Sequence, residues 1–277
     1  MEHLVIVRGG GDIATATIYR LVRSGFPVLV LETESPSAIR RKVAFSEAVY
    51  EGKSIVENME CILVKSLCEA YEVMKSGKPA MMVDKDCRVL EEVRPFALVD
   101  GILAKKNLGT NREMAEITIA MGPGFEAGKD VDLVIETMRG HDLGRMIEKG
   151  FAVKNTGIPG MIAGFDKERV IHAETLGILY GKKVIGDFVN QGECIAEIVT
   201  DEGNHEVKAS ISGILRGLIR DGYPVTKGFK IADIDPRTSE KENCYTISDK
   251  ARCIAGSVLE GILYLEQKKK EIECGES

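Results

Sequence analysis

The sequence predicts an α/β domain with a parallel sheet, then an all-β domain, then a C-terminal helix. Short apolar runs alternate with helical periodicity in the first half of the chain, a pattern typical of a parallel sheet with helices on both faces. A strand–glycine turn–strand pattern occurs twice in the second half, at 186–198 and 222–234, and an amphipathic segment follows at 251–265. We predict the α/β domain at 1–170, the β domain at 171–237, and the helix with a disordered tail at 238–277.

The first strand runs directly into a glycine loop. The apolar residues 4–7 are followed by the sequence GGGDIA at 9–14, which matches G-x-G-x-x-A, and then by apolar residues at helical spacing. A second strand follows at 28–31, and Glu32 lies at its end. This strand–loop–helix–strand order is that of the dinucleotide-binding fingerprint, and it predicts a Rossmann-like domain.

The loop predicts a site for a phosphate-bearing cofactor. Gly11 would let the backbone approach a pyrophosphate, and Glu32 would bind the ribose hydroxyls. Arg8 and Asp12 place charges at the loop, against ordinary NAD binding, so a tight turn with no ligand stays open as the alternative. The cofactor-binding residues predicted here are Gly9, Gly10, Gly11, Asp12, Ala14 and Glu32.

Two further groups could bind an anion. Arg40 and Arg41 lie in a segment at 39–48 that is predicted to be helical, and they could contact a phosphate or lie on a solvated helix face. Gly122 and Gly124 form a second glycine loop, whose backbone amides could hold an anion. A plain turn between two strands is the alternative for that loop.

Candidate catalytic residues follow strands of the predicted sheet, where ligands of α/β proteins bind. Asp100 ends one strand, and Lys106 follows in a polar loop. A buried lysine there could act as a base, whereas an ordinary exposed loop is the alternative. His141 lies in the polar loop after another strand, close to Arg139, which could contact an anion. His141 could transfer a proton or be structural.

Composition limits the class of protein. The net charge of −6 and the pI of about 5.5 argue against binding to nucleic acid or to an anionic membrane surface. No apolar run reaches the length of a membrane span. The seven cysteines include no C-x-x-C pair, so neither a disulfide framework nor a metal site is predicted, and we expect a cytoplasmic protein.

The duplicated motif indicates the fold of the second domain. Both copies follow the pattern G-x-x-V-x-x-G-x-x-I-A-acid-I without a gap. Two such halves resemble the barrel-sandwich hybrid of biotinyl and lipoyl domains. Those carriers present a modified lysine on the hairpin between the halves, but the corresponding turn here, at 201–204, has no lysine. We therefore expect a packing or binding module rather than a carrier.

Several longer motifs suggest a family. They lie at 8–15, 40–49, 122–125, 135–141, 155–160, 233–237 and 248–252. Together they resemble the YqeB family of the selenium-dependent molybdenum hydroxylase system, and the resemblance runs over nearly the whole chain. The N-terminal segment alone is similar to the Rossmann domain of XdhC-type factors, which bind molybdenum cofactor and deliver it to hydroxylases.

The resemblance implies an accessory protein that helps to mature a selenium-dependent molybdenum hydroxylase. It implies a molybdopterin-type cofactor at the glycine loop and, as partners, the client hydroxylase or its maturation factors; a homo-oligomer also stays open. Two other functions stay open. One is an NAD(P)-dependent oxidoreductase with Lys106 or His141 in proton transfer, and the other is a non-catalytic scaffold. The sequence leaves open whether the protein is an enzyme.

Overall fold

The chain divides into two units. The structure is a computed structural model that describes residues 1–154, 161 and 164–275. The first unit comprises Met1–Pro36, Phe45–Asn155 and Ile247–Ser277. The second unit comprises Ser37–Ala44 and Thr156–Thr246. This division differs from the predicted boundaries, because the segment 37–44 joins the second unit and the C-terminal helix joins the first.

Apolar runs of four to six residues form most strands of the first unit. The strands of its main sheet are β1 Val5–Arg8, β2 Val28–Glu32, β3 Lys53–Val56, β4 Met59–Val64, β5 Ala80–Val83, β6 Ala97–Asp100, β7 Ile117–Met121, β9 Leu133–Ile135 and β10 Met146–Ile147. A separate pair consists of β8 Glu126–Ala127 and β11 Gly150–Phe151. The helices are α1 Asp12–Arg23, α2 Ala48–Glu51, α3 Leu67–Lys75 and α4 Asp249–Gly275.

The main sheet is mixed, with the strand order β10-β9-β7-β6-β1-β2-β5-β4-β3. The strands from β9 to β4 in this order pair in parallel, whereas β3 pairs antiparallel with β4, and β10 with β9. Only Glu57 and Asn58 separate β3 from β4, which permits only a hairpin, because a parallel crossover needs about a dozen residues. The predicted fold class, a Rossmann-like domain with a parallel sheet, is therefore wrong.

Helices do not alternate with strands throughout the first unit. The connections from β6 to β7 and from β7 to β9, which the structure describes in full, contain no α-helix. The long helix α4 packs there instead, and a methyl group at Gly261 would lie 3.1 Å from Cδ1 of Leu133 and 3.2 Å from Cδ1 of Ile119. The helix continues to Gly275, so the segment predicted to be disordered is helical to that residue.

The predicted helix at 39–48 does not form. Two 3₁₀ turns, Arg41–Val43 and Phe45–Glu47, and the single-turn helix α2 occupy this region. The backbone at Ala44 is extended, with a φ of −125° and a ψ of 121°, and this interrupts a helix between the two turns.

Two four-stranded antiparallel sheets form the second unit. Their strands are β12 Val170–His172, β13 Gly177–Gly181, β14 Phe188–Val189, β15 Cys194–Thr200, β16 Gly203–Lys208, β17 Gly213–Leu218, β18 Tyr223–Val225 and β19 Lys230–Asp235. The orders are β12-β19-β17-β14 and β16-β15-β13-β18. In each copy of the duplicated motif, the short strand joins one sheet and the long strand joins the other, and both sheets contribute to one apolar core.

The second unit is not the predicted biotinyl/lipoyl-like barrel-sandwich hybrid of residues 171–237. It also takes in the segment 37–44, which packs on β17: the carbonyl of Ile39 accepts from the amide of Leu218 (2.9 Å), and a methyl group at Gly217 would lie 2.9 Å from Ile39. Local sequence could not predict this contribution from a distant segment. Among the described helices of the whole chain, none is long and apolar enough to cross a membrane.

Candidate functional site

The glycine loop after β1 is held by hydrogen bonds within the protein. The amide of Gly9 donates to the carbonyl of Leu31 (2.8 Å), and the amide of Gly10 donates to the carboxylate of Glu32 (2.7 Å). The carbonyl of Gly10 accepts from the amide of Ser46 (2.8 Å), and a methyl group at Gly10 would lie only 2.9 Å from that amide nitrogen. Protein atoms therefore fill the space that a ligand would need beside Gly10.

Glu32 is engaged by the loop itself. Its carboxylate accepts from the amides of Gly10 (2.7 Å) and Thr33 (2.8 Å). Burial raises the pKa of Glu32, and these two hydrogen bonds oppose the rise. In a dinucleotide site this acid binds ribose hydroxyls while the loop amides face the pyrophosphate, whereas here the acid and an amide bind each other. The prediction that a nucleotide or a molybdopterin-type cofactor binds at Gly9–Ala14 is therefore wrong.

Asp100 is part of a buried polar cluster. Arg8 donates to its carboxylate (3.4 Å) and to the hydroxyl of Thr110, which in turn donates to the same carboxylate oxygen of Asp100 (2.6 Å). Burial raises the pKa of Asp100, while the bond from Thr110 and the charge of Arg8 oppose that rise. The cluster ties the ends of β1 and β6 to the loop at 101–110.

The two other predicted catalytic residues, Lys106 and His141, are exposed. The backbone of Lys106 packs on Gly124, where a methyl group would lie 3.0 Å from Cα of Lys106. Gly122 has a φ of 83°, and its amide donates to the carbonyl of Ile135 (2.8 Å). The structure thus brings the loops of Lys106 and Gly124 together through backbone packing. The catalytic roles of Asp100, Lys106 and His141 stay predictions.

Arg40 and Arg41 lie in the second unit and contact backbone carbonyls. Arg40 is buried, and its guanidinium donates to the carbonyls of Asn243 (2.9 Å) and Thr246 (3.3 Å). Arg41 donates through Nε to the carbonyl of Leu218 (2.8 Å). These bonds hold the segment 37–44 in its unit and direct both side chains to protein groups.

Five charged residues gather around the first turn of α4, and we call them the Lys250 cluster. Burial lowers the pKa of Lys250 and Arg139 lowers it further, while Asp12, Glu136 and Asp249 oppose this effect. Arg139 and Asp249 form a two-point ion pair with both distances at 3.2 Å. The cluster therefore joins the start of α1, the loop after β9 and the start of α4 within the first unit.

The ammonium group of Lys250 has no hydrogen-bond or ion-pair partner among the residues that the structure describes. The carboxylate of Glu136 is already engaged, because it accepts from the amides of Thr137 (2.7 Å), Met138 (2.6 Å) and Val153 (2.8 Å). A cation in the first turn is also disfavoured by the helix macrodipole, so the position of Lys250 is not explained by helix stability.

The start of α1, next to Asp12, is open. Gly11 is the N-cap residue and makes no side-chain capping bond. A methyl group at Gly11 would have no neighbouring atom within 4 Å. Of the predicted binding residues, Gly11 and Asp12 lie at this helix start, and Asp12 and Arg139 belong to the Lys250 cluster.

Sequence reasoning did not select Lys250. Lys250 lies in the motif at 248–252, next to Ser248, which caps α4 by accepting from the amide of Ala251 (3.2 Å). Once Ser248 fixes the start of the helix, Lys250 falls in the first turn, where a cation is unusual. That signal could have found it. The motif at 155–160 lies outside the described residues.

The contrast between Gly10 and Gly11 gives a test of the closed loop. We expect Gly10→Ala to lower the free energy of unfolding by about 1–3 kcal/mol, because the methyl group would press on Ser46. Gly11→Ala is the matched control and should cost less than about 1 kcal/mol, since its φ of −65° suits any residue and its space is open. Urea unfolding measures both; equal losses would contradict the packing around Gly10.

The chain is a homologue of YqeB from Escherichia coli K12, an uncharacterized protein. The two are 48% identical over 264 residues, which cover 95% of this chain and 48% of YqeB. The chain thus spans about half the length of the curated relative that it matches. No family model matches the chain.

Similar solved structures include proteins named as desuccinylases or aspartoacylases. An aspartoacylase family protein from Mesorhizobium loti is 10% identical, with 84% of each chain covered and a TM-score of 0.27. A succinylglutamate desuccinylase from Silicibacter is 11% identical, with 84% of each chain covered and a TM-score of 0.26. The ectoine utilization protein EutE (DoeB) from Ruegeria pomeroyi, with product bound, is 12% identical over 83% of this chain and 56% of that chain, with a TM-score of 0.24. These scores are too low to support an inference about this chain.

The predicted function is corrected by the structure of the glycine loop, because the amides of Gly9 and Gly10 bind the protein's own groups. We therefore withdraw the maturation of a selenium-dependent molybdenum hydroxylase through a cofactor at Gly9–Ala14, and the NAD(P)-dependent alternative that uses the same loop. Within the described residues, no group of three or more His, Cys, Asp or Glu could hold a metal ion.

Proposed function

We propose that the protein binds a small anionic ligand, a carboxylate or a phosphate, at the Lys250 cluster. The observation that carries the proposal is the half-buried ammonium group of Lys250, in the first turn of α4, with no hydrogen-bond partner among the described residues. A bound anion would accept a hydrogen bond from this group, and the positive end of the helix would favour it.

The neighbours of Lys250 limit the size and charge of the ligand. Arg139 adds positive potential, although Asp249 already holds its guanidinium. Asp12 adds a negative charge at the start of α1. A polyanion would be repelled by that carboxylate, whereas one small anionic group could lie against Lys250. The cluster therefore favours a small acid over a dinucleotide.

Binding should depend on pH, because it requires the charged form of Lys250. Burial and Arg139 lower the pKa of this group, so we expect full affinity below that lowered pKa and falling affinity as the pH rises through it. In Lys250→Arg the guanidinium stays charged, and affinity should persist to higher pH. A bound anion favours the ammonium form and should raise the pKa of Lys250 again.

Competitive labelling of lysines tests this proposal directly. The intact protein is acetylated with a trace of acetic anhydride at a series of pH values, and labelling at each lysine is read by mass spectrometry. We expect Lys250 to titrate below the ordinary value of a lysine, because burial and Arg139 lower its pKa. Inorganic phosphate or malonate should move this titration upward.

Calorimetry with the same two probes gives the second measurement. Lys250→Met should weaken the binding of at least one probe by about tenfold or more, because it removes a hydrogen bond to a charged group. Lys106→Met removes the same charge from an exposed site in the same unit and should have no effect. If neither anion moves the titration of Lys250, or if both variants bind alike, the proposal is wrong.

A second candidate function rests on the same lowered pKa. The neutral amine of Lys250 could act as a base or as a nucleophile on a bound substrate. Borohydride reduction in the presence of a carbonyl compound tests this role. Covalent attachment of the compound to Lys250, without an increase in the pKa of Lys250, would favour this role over simple anion binding.

A further inference from the structure

A cleft of about 260 Å³ lies between α1 and α4, away from the Lys250 cluster. Its lining includes three arginines, Arg20 and Arg23 from α1 and Arg252 from α4. Ala255 and Leu259 of α4 supply an apolar part of the lining. The whole cleft belongs to the first unit. A small enclosed space with several guanidinium groups and an apolar side is typical of a site for an organic anion.

Only one of the three arginines is paired with an acid. Arg252 forms an ion pair with Glu57. Among the residues that the structure describes, no carboxylate lies within ion-pair distance of Arg20 or Arg23. Within the described part of the chain, the side chain of Arg20 donates to the backbone carbonyl of Arg252 (3.4 Å). Two guanidinium groups in the cleft are therefore not neutralised, in a protein whose net charge is −6.

Tyr19 orients Arg23 at the cleft. The hydroxyl of this buried tyrosine donates to Oδ1 of Asn58 (2.7 Å), and Arg23 donates to the same hydroxyl (3.4 Å). The guanidinium carbon of Arg23 lies 5.6 Å from the centre of the tyrosine ring. Contact with an aromatic ring positions a guanidinium and leaves its remaining N–H groups free to bind an oxyanion.

Helix stability explains these positions only in part. Arg20 and Arg23 lie in the last turn of α1, where a cation complements the macrodipole. Arg252, however, lies in the first turn of α4, where a cation is disfavoured. A methyl group at Gly256 would lie 3.6 Å from a terminal nitrogen of Arg20, an ordinary contact distance, so this face of α4 lies close to that guanidinium. The convergence of the three charges is not required by either helix.

We propose that this cleft is a second ligand site, which binds the dianionic oxyanion group of a small organic acid such as a phosphate monoester. Arg20 and Arg23 bind the oxyanion, since a guanidinium matches phosphate or carboxylate oxygens in pairs. The apolar part of the ligand lies on Ala255 and Leu259. This site is independent of the Lys250 cluster, because the residues that line it include none of that cluster.

Calorimetry on the whole protein with phenyl phosphate tests the site. The wild-type protein should bind phenyl phosphate but not phenol. Arg20→Gln and Arg23→Gln should each weaken binding by about tenfold or more, because each removes a charge-assisted hydrogen bond. Arg94→Gln is the matched control, since it removes the same charge from an exposed position of the first unit, and it should bind as the wild type does. Lys250→Met should affect only the binding that belongs to the Lys250 cluster, and it should leave the binding that Arg20→Gln and Arg23→Gln weaken.

Three results would overturn the proposal. The first is the absence of binding of phenyl phosphate at millimolar concentration. The second is equal weakening by Arg94→Gln and Arg20→Gln, which would indicate a general charge effect. The third is weakening by Lys250→Met alone, which would assign the ligand to the Lys250 cluster. The proposal for Lys250 itself is tested separately by lysine labelling, so that failure of one site does not decide the other.

Discussion

Replacing Arg8 with leucine is expected to lower the free energy of unfolding by about 3–5 kcal/mol, the range for breaking a buried ion pair at one partner. The side chains of Arg8 and Asp100 are only 5% and 2% exposed. Arg8 also donates to the backbone carbonyls of Lys85 (3.2 Å) and Leu108 (3.4 Å). The substitution therefore leaves a buried carboxylate without its cation and two carbonyls without this donor.

Urea unfolding followed by circular dichroism measures this loss. Arg94→Leu is the matched control, since it removes an exposed arginine of the same unit and should change the free energy of unfolding by less than about 0.5 kcal/mol. The double variant Arg8→Leu/Asp100→Asn should be less destabilised than Arg8→Leu, because no unpaired charge remains buried. A single variant as stable as Arg94→Leu would contradict the buried pair.

The same variant should show a pH dependence of known sign. Burial raises the pKa of Asp100 in the folded protein, and loss of the nearby cation should raise it further. A carboxyl group whose pKa is raised by folding stabilises the folded state when it is protonated, and this contribution is lost as the pH rises through the folded pKa. The difference in stability between Arg8→Leu and wild type should therefore shrink as the pH is lowered.

Local structure around the glycine loop could be predicted, but its ligand could not. The expected strand, loop, helix and second strand are present as β1, residues 9–11, α1 and β2. These elements depend on apolar periodicity and on glycine, which neighbouring residues encode. The engagement of Gly10 by Glu32 and Ser46 depends on non-local packing. A fingerprint shows that the backbone can approach a phosphate, not that the space stays open.

The prediction of the fold class was wrong for a similar reason. Strand β4 contains the apolar run CILV at 61–64, whereas its partner β3 has the sequence KSIV, with two polar residues, and gives a much weaker signal. Without β3, the hairpin is hidden and the sheet looks parallel. Arg40 and Arg41 lie in a segment that is predicted to be helical, yet these residues form part of the second unit. A short, partly polar edge strand gives little local signal in the sequence. The membership of a segment in a distant unit gives none.

The prediction of the candidate site was limited in the same way, because tertiary packing brings its residues together. Lys106 was selected because it follows a strand in a polar loop, and the structure leaves it exposed. Lys250 comes from a helix far along the chain, and only packing on the first unit brings it near Asp12 and Glu136. Arg139 and Asp12 were correctly placed near the ends of strands and helices, but their association with Lys250 is a tertiary contact.

Asp233 should be as important for the second unit as Arg8 is for the first. Its carboxylate lies 3.2 Å from Arg169 and 3.9 Å from Arg216, and the three side chains are 8%, 5% and 12% exposed in that order. Asp233 is located in β19, where it pairs with Val170 of β12 and Gly217 of β17. Asp233 therefore lies within ion-pair distance of both Arg169 and Arg216, and Asp235 adds a weaker favourable charge at Arg169. Its neighbour Asp235 pairs separately with Arg237 (2.7 Å).

Asp233→Asn is expected to lower the free energy of unfolding of the second unit by about 3–5 kcal/mol, because two buried cations lose their carboxylate while the shape of the side chain is kept. Asp201→Asn, on the exposed turn between β15 and β16, removes the same charge from the same unit and should be close to neutral. Hydrogen exchange resolves the effect by strand: the amides of β17 and β19 should lose protection in Asp233→Asn, while those of β1 and β6 in the first unit should keep it. If Asp233→Asn unfolds at the same urea concentration as Asp201→Asn and keeps its protection, the buried charges of Arg169 and Arg216 do not depend on Asp233.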